Sequence, residues 1–258
     1  MKNVRLIARL DVKGPNLVKG IQMEGLRKLG DPNEFAKRYY EAGIDEILFI
    51  DIVASLYERN SLYEIVRRTT QDVFIPITAG GGLRSVDDVR TMLRAGADKV
   101  AINTAALKRP ALIREIAETF GSQCMVLSIQ AKKTTSGRWE CYYDNGREHT
   151  GRDVVEWAQE GVELGAGEIL LTSVDRDGTA KGFDCQLVGT VSNSIPIPLI
   201  AGGGMGKLAD LVEVVNEGCA DAVAMAHVLH YGKLTVDAIA MEAERKGFRK
   251  GRQFTNAR

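Results

Sequence analysis

The sequence predicts a (β/α)8 barrel built from two similar half-barrels, and three observations lead to it. Short β-branched runs alternate with amphipathic stretches along the whole chain, the pattern of parallel strands joined by helices. The 258 residues suit one such barrel, which takes about 250. The chain also repeats itself. GIDEILFID (43–51) aligns with GAGEILLTS (165–173), and IPITAGGG (75–82) aligns at the same offset with IPLIAGGG (197–204). Self-similarity of this kind outranks local propensity as a fold signal.

The strands read in order as VRLIARLDV, EILFIDI, FIPITA, KVAIN, CMVLSIQ, EILLTS, IPLIA and DAVAMA. Helix signals lie between them. DPNEF offers Asp31 as N-cap, Pro32 at the first helical position and Glu34 to close a capping box. Ser85 with Asp88, and Thr150 with Asp153, repeat that logic. Gly43, Gly96, Gly165 and Gly218 follow helix patterns where a left-handed residue is wanted. The half-barrels run over about 1–122 and 123–246 of a single domain, 1–258. Residues 133–148, KTTSGRWECYYDNGRE, break the rhythm and read as an inserted hairpin turning at DNG. The tail 249–258 is basic and reads as a solvated end or a docking segment.

Composition excludes several classes of function. Hydrophobic residues make up 45% and charged residues 26%, an ordinary globular balance. Lys plus Arg equals Asp plus Glu, so no global field draws in nucleic acid or a membrane surface. The four cysteines are scattered without a CxxC pair, which argues against a disulfide framework or a zinc site. MKNVRLIARLDV is too short and too broken by arginines for a signal peptide, and no run approaches the ~18 apolar residues of a membrane span. The expectation is a cytoplasmic protein with no metal and no cofactor.

Functional loops of such a barrel follow the C-terminal ends of its strands. Two GGG loops, Gly80 to Gly82 and Gly202 to Gly204, fall there at equivalent positions. Side-chain-free backbone lets N–H groups surround an anion. Two opposed loops therefore imply a long ligand with phosphate at both ends, where one alone would read as a tight turn. Asn103 and Thr104 would complete the first site with Gly82. VDRDGTAKG adds Asp177 and Gly178 to the second, beside Gly203 and Gly204, with Ala226 and His227 in the places of Asn103 and Thr104. At the opposite face, Arg5, Glu46, Lys99 and Glu168 fall near the starts of strands one, two, four and six. Pointing inward, they would form either a structural ion-pair cluster or a gate passable to a small neutral molecule.

The motifs LDVK with the following VKG loop, DEILFIDI, PITAGGGLRS, RAGADKVAIN, GAGEILLTS, DRDGT and the second GGG resemble the HisF family, the cyclase subunits of imidazole glycerol phosphate synthases, over nearly the entire chain. The resemblance implies a barrel docked at its N-terminal face on a HisH-like glutaminase, with ammonia entering through a gate at Arg5, Glu46, Lys99 and Glu168. It also implies a bisphosphate ribonucleotide at the mouth, held by the phosphate residues above and by Lys19, and cyclised by two aspartates. The first aspartate is Asp11. The second falls on Gln130, in a segment VLSIQAK (126–132) that mirrors IARLDVK (7–13). An amide holds a substrate but carries no proton near neutrality. Arg9 is a second departure, on the same face as Asp11 by strand alternation and expected to pair with it. His227 and Gly202 alter the second anion site.

This altered set resembles HisF-like proteins associated with sugar amidation in surface-polysaccharide pathways. That resemblance implies ammonia delivery to a separate amidotransferase acting on a nucleotide sugar. A genuine histidine-pathway cyclase that tolerates Gln130 is the alternative, and a non-catalytic scaffold that activates the glutaminase is a third.

Overall fold

A computed structural model describes residues 3–54 and 62–249. The expected barrel forms. Its staves are β1 (Arg5–Lys13), β4 (Glu46–Asp51), β5 (Ile77–Gly80), β6 (Lys99–Ile102), β7 (Met125–Lys133), β10 (Glu168–Ser173), β11 (Leu199–Gly202) and β12 (Ala222–Met225). Each pairs in parallel with the next, β7 pairs with β10, and β12 returns to β1, so the sheet closes. Closure leaves the barrel staves without a free edge.

Two apolar layers follow from the period-2 alternation of each stave. Outward residues such as Leu6, Phe49, Leu127 and Leu171 pack under the helices in the larger cluster. Inward residues Ile7, Leu48, Ala101, Val126, Leu170, Ile200, Ala222 and Ala224 fill the bore in a separate one. Each large member contributes about 1.5–3 kcal/mol by leaving water.

Several caps match the sequence and some differ. Ser85 and Asp88 close a capping box around the helix Val86–Arg94. Asp31 caps Pro32–Glu41 by accepting from the Asn33 amide. At Val154–Glu163 the cap is Asp153, which accepts from Val155 N and Glu156 N, so Thr150 is not the cap expected of it. Thr150 instead donates to the Cys141 carbonyl within the hairpin. Gly43, Gly96 and Gly165 take positive φ as expected, whereas after Leu208–Asn216 the left-handed residue is Cys219, not Gly218. A Cβ on Gly218 would still lie 2.6 Å from the Val214 carbonyl oxygen, so close packing accounts for that glycine.

The inserted hairpin is present as β8 (Trp139–Tyr143) and β9 (Glu148–Asp153), antiparallel to the end of β7. A second hairpin, β2 (Asn16–Ile21) with β3 (Glu24–Gly30), follows β1 and was not read from the sequence. Both rise from the C-terminal ends of their staves and meet over the mouth, where Asn145 Nδ2 donates to the Met23 carbonyl at 3.0 Å. The C-terminal tail lies outside the described residues except for Arg249, which is buried with Nη2 2.9 Å from Asp45 Oδ1. Among the described residues, no helix is long and apolar enough to cross a membrane.

Candidate active site

At the floor, strand alternation turns the first residue of four staves into the bore. Arg5 of β1 lies 2.7 Å from Glu46 of β4 and also pairs with Glu168 of β10. Lys99 of β6 closes the figure, 3.4 Å from Glu46 and 3.0 Å from Glu168. The four expected residues therefore form one ring with alternating sign. Both carboxylates are buried, while the Arg5 and Lys99 side chains keep 26% and 21% of their surface. Burial alone would lower the Arg5 pKa, and Glu168 and Glu46 more than reverse it. Above the ring sits the apolar band of Ile7, Leu48, Leu170 and Ile200.

The upper bore is polar. Arg9 Nε donates to Asp11 Oδ1 at 2.8 Å, and Arg9 Nη1 donates to Thr172 Oγ1 at 3.0 Å. Thr172 stands on β10, three staves from β1 around the sheet, so the Arg9 side chain crosses the bore. Lys19, reaching down from β2, places its ammonium 3.1 Å from Asp11 Oδ2 and 2.8 Å from Asp177 Oδ2. These two cations and two carboxylates are almost sealed, with Lys19 at 2%, Asp177 at 3%, Arg9 and Asp11 at 4% exposure. Burial pushes the Asp11 carboxyl up, but the adjoining Arg9 and Lys19 charges outweigh it and hold Asp11 well below the usual carboxylate range. Asp11 is thus a fixed anion with both oxygens engaged. It is a weak base in this arrangement.

Gln130, on the mouth end of β7, accepts from the Gly146 amide at 2.8 Å. With Gly82, Asn103 and Thr104 it lines a cavity of about 260 Å³ beside the first GGG loop, so the first anion set comes together. Asn103 Nδ2 donates to the Tyr142 carbonyl at 3.1 Å, and Thr104 contacts Asp144, which ties this site to the inserted hairpin. Gly81 shows why the loop excludes side chains: its φ is +98°, and a Cβ would lie 2.2 Å from the Asp51 carbonyl oxygen.

The second set also converges. A Cβ on Gly203 would meet the Ser173 carbonyl oxygen at 2.7 Å and Asp177, and one on Gly178 would meet the Gly20 carbonyl oxygen at 2.4 Å. Gly204 accepts from Gly182 N at 2.9 Å. These glycines seat the β2 hairpin and the Asp177 loop against each other. Ala226 precedes the turn of helix His227–His230, and His227 is within electrostatic reach of Lys19 and Asp177. Burial, with Lys233 and Lys19, lowers the His227 pKa. The sequence missed Thr172 as Arg9's second partner and the depth to which Lys19 inserts. No local pattern encodes either, because both depend on segments far apart in the chain, β10 and the loop that follows it.

A second buried group lies behind β1. Tyr39 Oη and His230 Nδ1 share a hydrogen bond of 2.7 Å, with the rings stacked 5.8 Å apart. Burial pushes the His230 pKa down to about 4.

Comparison with known proteins agrees with this architecture. A family model described as "Histidine biosynthesis protein" matches residues 5–235. The imidazole glycerol phosphate synthase subunit HisF of Legionella pneumophila is 65% identical over 210 residues, covering 81% of this chain and 99% of that protein. The subunit of the same name from Myxococcus xanthus is 53% identical over 235 residues, covering 91% and 92%. That of Streptococcus sanguinis is 49% identical over 236 residues, covering 92% and 94%. With a closed parallel barrel, a charged ring at its floor and two glycine loops at its mouth, the chain belongs to the HisF family of histidine biosynthesis proteins.

Proposed function

We propose that the chain is the barrel subunit of a glutamine-dependent complex of the imidazole glycerol phosphate synthase kind. A HisH-like glutaminase docks at the floor, and its ammonia passes the charged ring to a phosphorylated substrate at the mouth. The observation that carries this reading is the closed ring of Arg5, Glu46, Lys99 and Glu168 beneath an apolar bore. Four mutually neutralised charges let a small neutral molecule approach, and the apolar band above disfavours an ion. Phe74, 74% exposed in the turn that leads into β5, offers the partner an aromatic contact on the same face.

The names of the relatives favour the histidine-pathway cyclase as the reaction. In that reading the backbone at Gly82 and Thr104 takes one phosphate, and Gly178, Gly203, Gly204 and His227 surround the other. Lys19 leaves the carboxylates to meet the substrate, and Asp11 carries protons once Arg9 and Lys19 release it. Gln130 orients the substrate. Supplying ammonium salt and the bisphosphate ribonucleotide to the isolated chain tests this directly: imidazole glycerol phosphate should form with the barrel alone.

A second reading is favoured by two specific features. Arg9 clamps Asp11, and Gln130 stands where the resemblance calls for an acid. Loss of one essential proton carrier costs on the order of 10²–10⁴ in rate. Such a barrel would pass ammonia to a separate amidotransferase for a nucleotide sugar, as the polysaccharide-linked resemblance implies. The same assay, repeated with the glutaminase and glutamine present, separates the two: no cyclised product, despite glutaminase activation and ammonia release at the mouth, favours amidation. Glutaminase activation with no ammonia emerging at the mouth favours a scaffold.

A further inference from the structure

Gln130 occupies the mouth with its amide orientation settled by chemistry. Its partner at 2.8 Å is the backbone N–H of Gly146, which can only donate, so Oε1 faces Gly146 and the Nε2 hydrogens face away. Nε2 has no partner among the described residues, and Gln130 lines the 260 Å³ cavity together with Asn145, Ser128 and the first GGG loop. The turn that Gln130 holds is left-handed throughout: Asp144, Asn145 and Gly146, residue types that adopt this region most readily, run consecutively at φ +48°, +59° and +75°. The Gln130 bond to Gly146 fixes its position on β7. The anchored turn in turn holds the other hairpin. Asn145 Nδ2 donates to the Met23 carbonyl, Met23 is 4% exposed, and a Cβ on Gly146 would lie only 3.2 Å from the Met23 sulfur. Gln22 N, one residue before Met23, donates to the Asp177 carbonyl at 2.7 Å.

We propose that Gln130 is a positioning residue that couples a ligand in this cavity to closure of both hairpins over the mouth, and that the ligand presents an oxygen acceptor, carbonyl or phosphoryl, to Gln130 Nε2. The inference rests on the reading of the mouth as a site for a phosphorylated substrate. An aspartate here would offer acceptors only, one methylene shorter, and would demand a donor from the ligand. The amide does both jobs: one end holds the turn, the other recognises an acceptor. A ligand bonded to Nε2 polarises the amide and strengthens the Oε1 bond to Gly146, so occupancy tightens the turn and, through Asn145, the β2 hairpin.

Two variants separate the two ends of the side chain. Gln130→Glu keeps the acceptor for Gly146 and removes the donor, and Gln130→Leu removes both at similar volume. The readouts are amide hydrogen exchange in peptides spanning Met23 and Gly146, and calorimetric binding of inorganic phosphate and of the bisphosphate ribonucleotide. Gln130→Leu should speed exchange in both peptides without ligand. Gln130→Glu should keep wild-type exchange without ligand and lose about tenfold in ribonucleotide affinity, the scale of one hydrogen bond. In the wild type, ribonucleotide should slow exchange in the two peptides together. Wild-type exchange at Met23 in Gln130→Leu overturns the coupling, and undiminished ribonucleotide affinity in Gln130→Glu overturns the donor role. A wild-type protein that binds phosphate but not the ribonucleotide overturns the substrate reading and the donor role with it, while exchange in Gln130→Leu still decides the coupling.

Discussion

Arg9 and Asp11 stand two residues apart on one stave, joined by a 2.8 Å Nε–Oδ1 bond, and Arg9 continues across the bore to Thr172. The pair sits between the apolar band and the mouth, so it governs both the charge of Asp11 and the free width of the upper bore. Arg9→Met should cost about 3 kcal/mol, the lower end for removing one partner of a buried pair, because Lys19 still holds the other Asp11 oxygen. Urea unfolding measures it. The same variant should raise cyclase activity with ammonium salt if Asp11 is the proton carrier, since the carboxyl then moves back toward its ordinary range.

Mutating the ring tests passage without disturbing the mouth. Lys99→Met leaves Glu46 and Glu168 sharing Arg5 alone. Product formed from glutamine, in complex with the glutaminase, should fall about tenfold, or 1.4 kcal/mol. Product formed from ammonium salt supplied in solution should stay unchanged. Equal losses in both assays would place the defect in the mouth or the fold.

Stability should depend on pH through His230. Its folded pKa of about 4 lies below the unfolded value near 6.5, so the unfolded chain binds a proton first. Stability is therefore full above about pH 6.5 and is lost as pH falls toward 4, by at most about 3 kcal/mol. Asp11, whose pKa is also depressed, adds its loss only below about pH 4. His230→Phe should flatten the pH 4–6.5 limb in thermal melts. It should also lower stability at pH 7, because the buried Tyr39 hydroxyl loses its partner, at about 1–3 kcal/mol.

The glycine loops are testable by contrast. Gly81→Ala must hold φ +98° with its Cβ against the Asp51 carbonyl oxygen, whereas Gly232→Ala at φ +62° meets open space. Gly232→Ala should cost about 1–2 kcal/mol, the left-handed penalty alone. Gly81→Ala should cost clearly more and should also weaken inorganic phosphate binding, because the loop must shift to clear Asp51.

The chain's local patterns were enough for the barrel. Eight β-branched runs, alternating with capped amphipathic helices and repeated at one offset, leave few other ways to bury two faces of every strand. The ring was legible in part, since Arg5, Glu46, Lys99 and Glu168 fall near the starts of their staves, and the closed sheet is what turns all four inward. The pairing of Arg9 with Asp11 followed from strand alternation. Tertiary structure decided what the mouth does with these groups. Arg9 meets Thr172 163 residues away, and Lys19 meets Asp177 158 residues away. Gln130 meets Gly146 only because β8 folds back in register on β7. Periodicity reports which way a side chain points and nothing about which distant loop arrives opposite it. The hairpin after β1 shows the difference: its strands are short, its face toward solvent is polar, and its position over the mouth is set by Lys19 and Gln22 meeting Asp177 in the loop after β10 and Met23 meeting Asn145 in the other hairpin's turn.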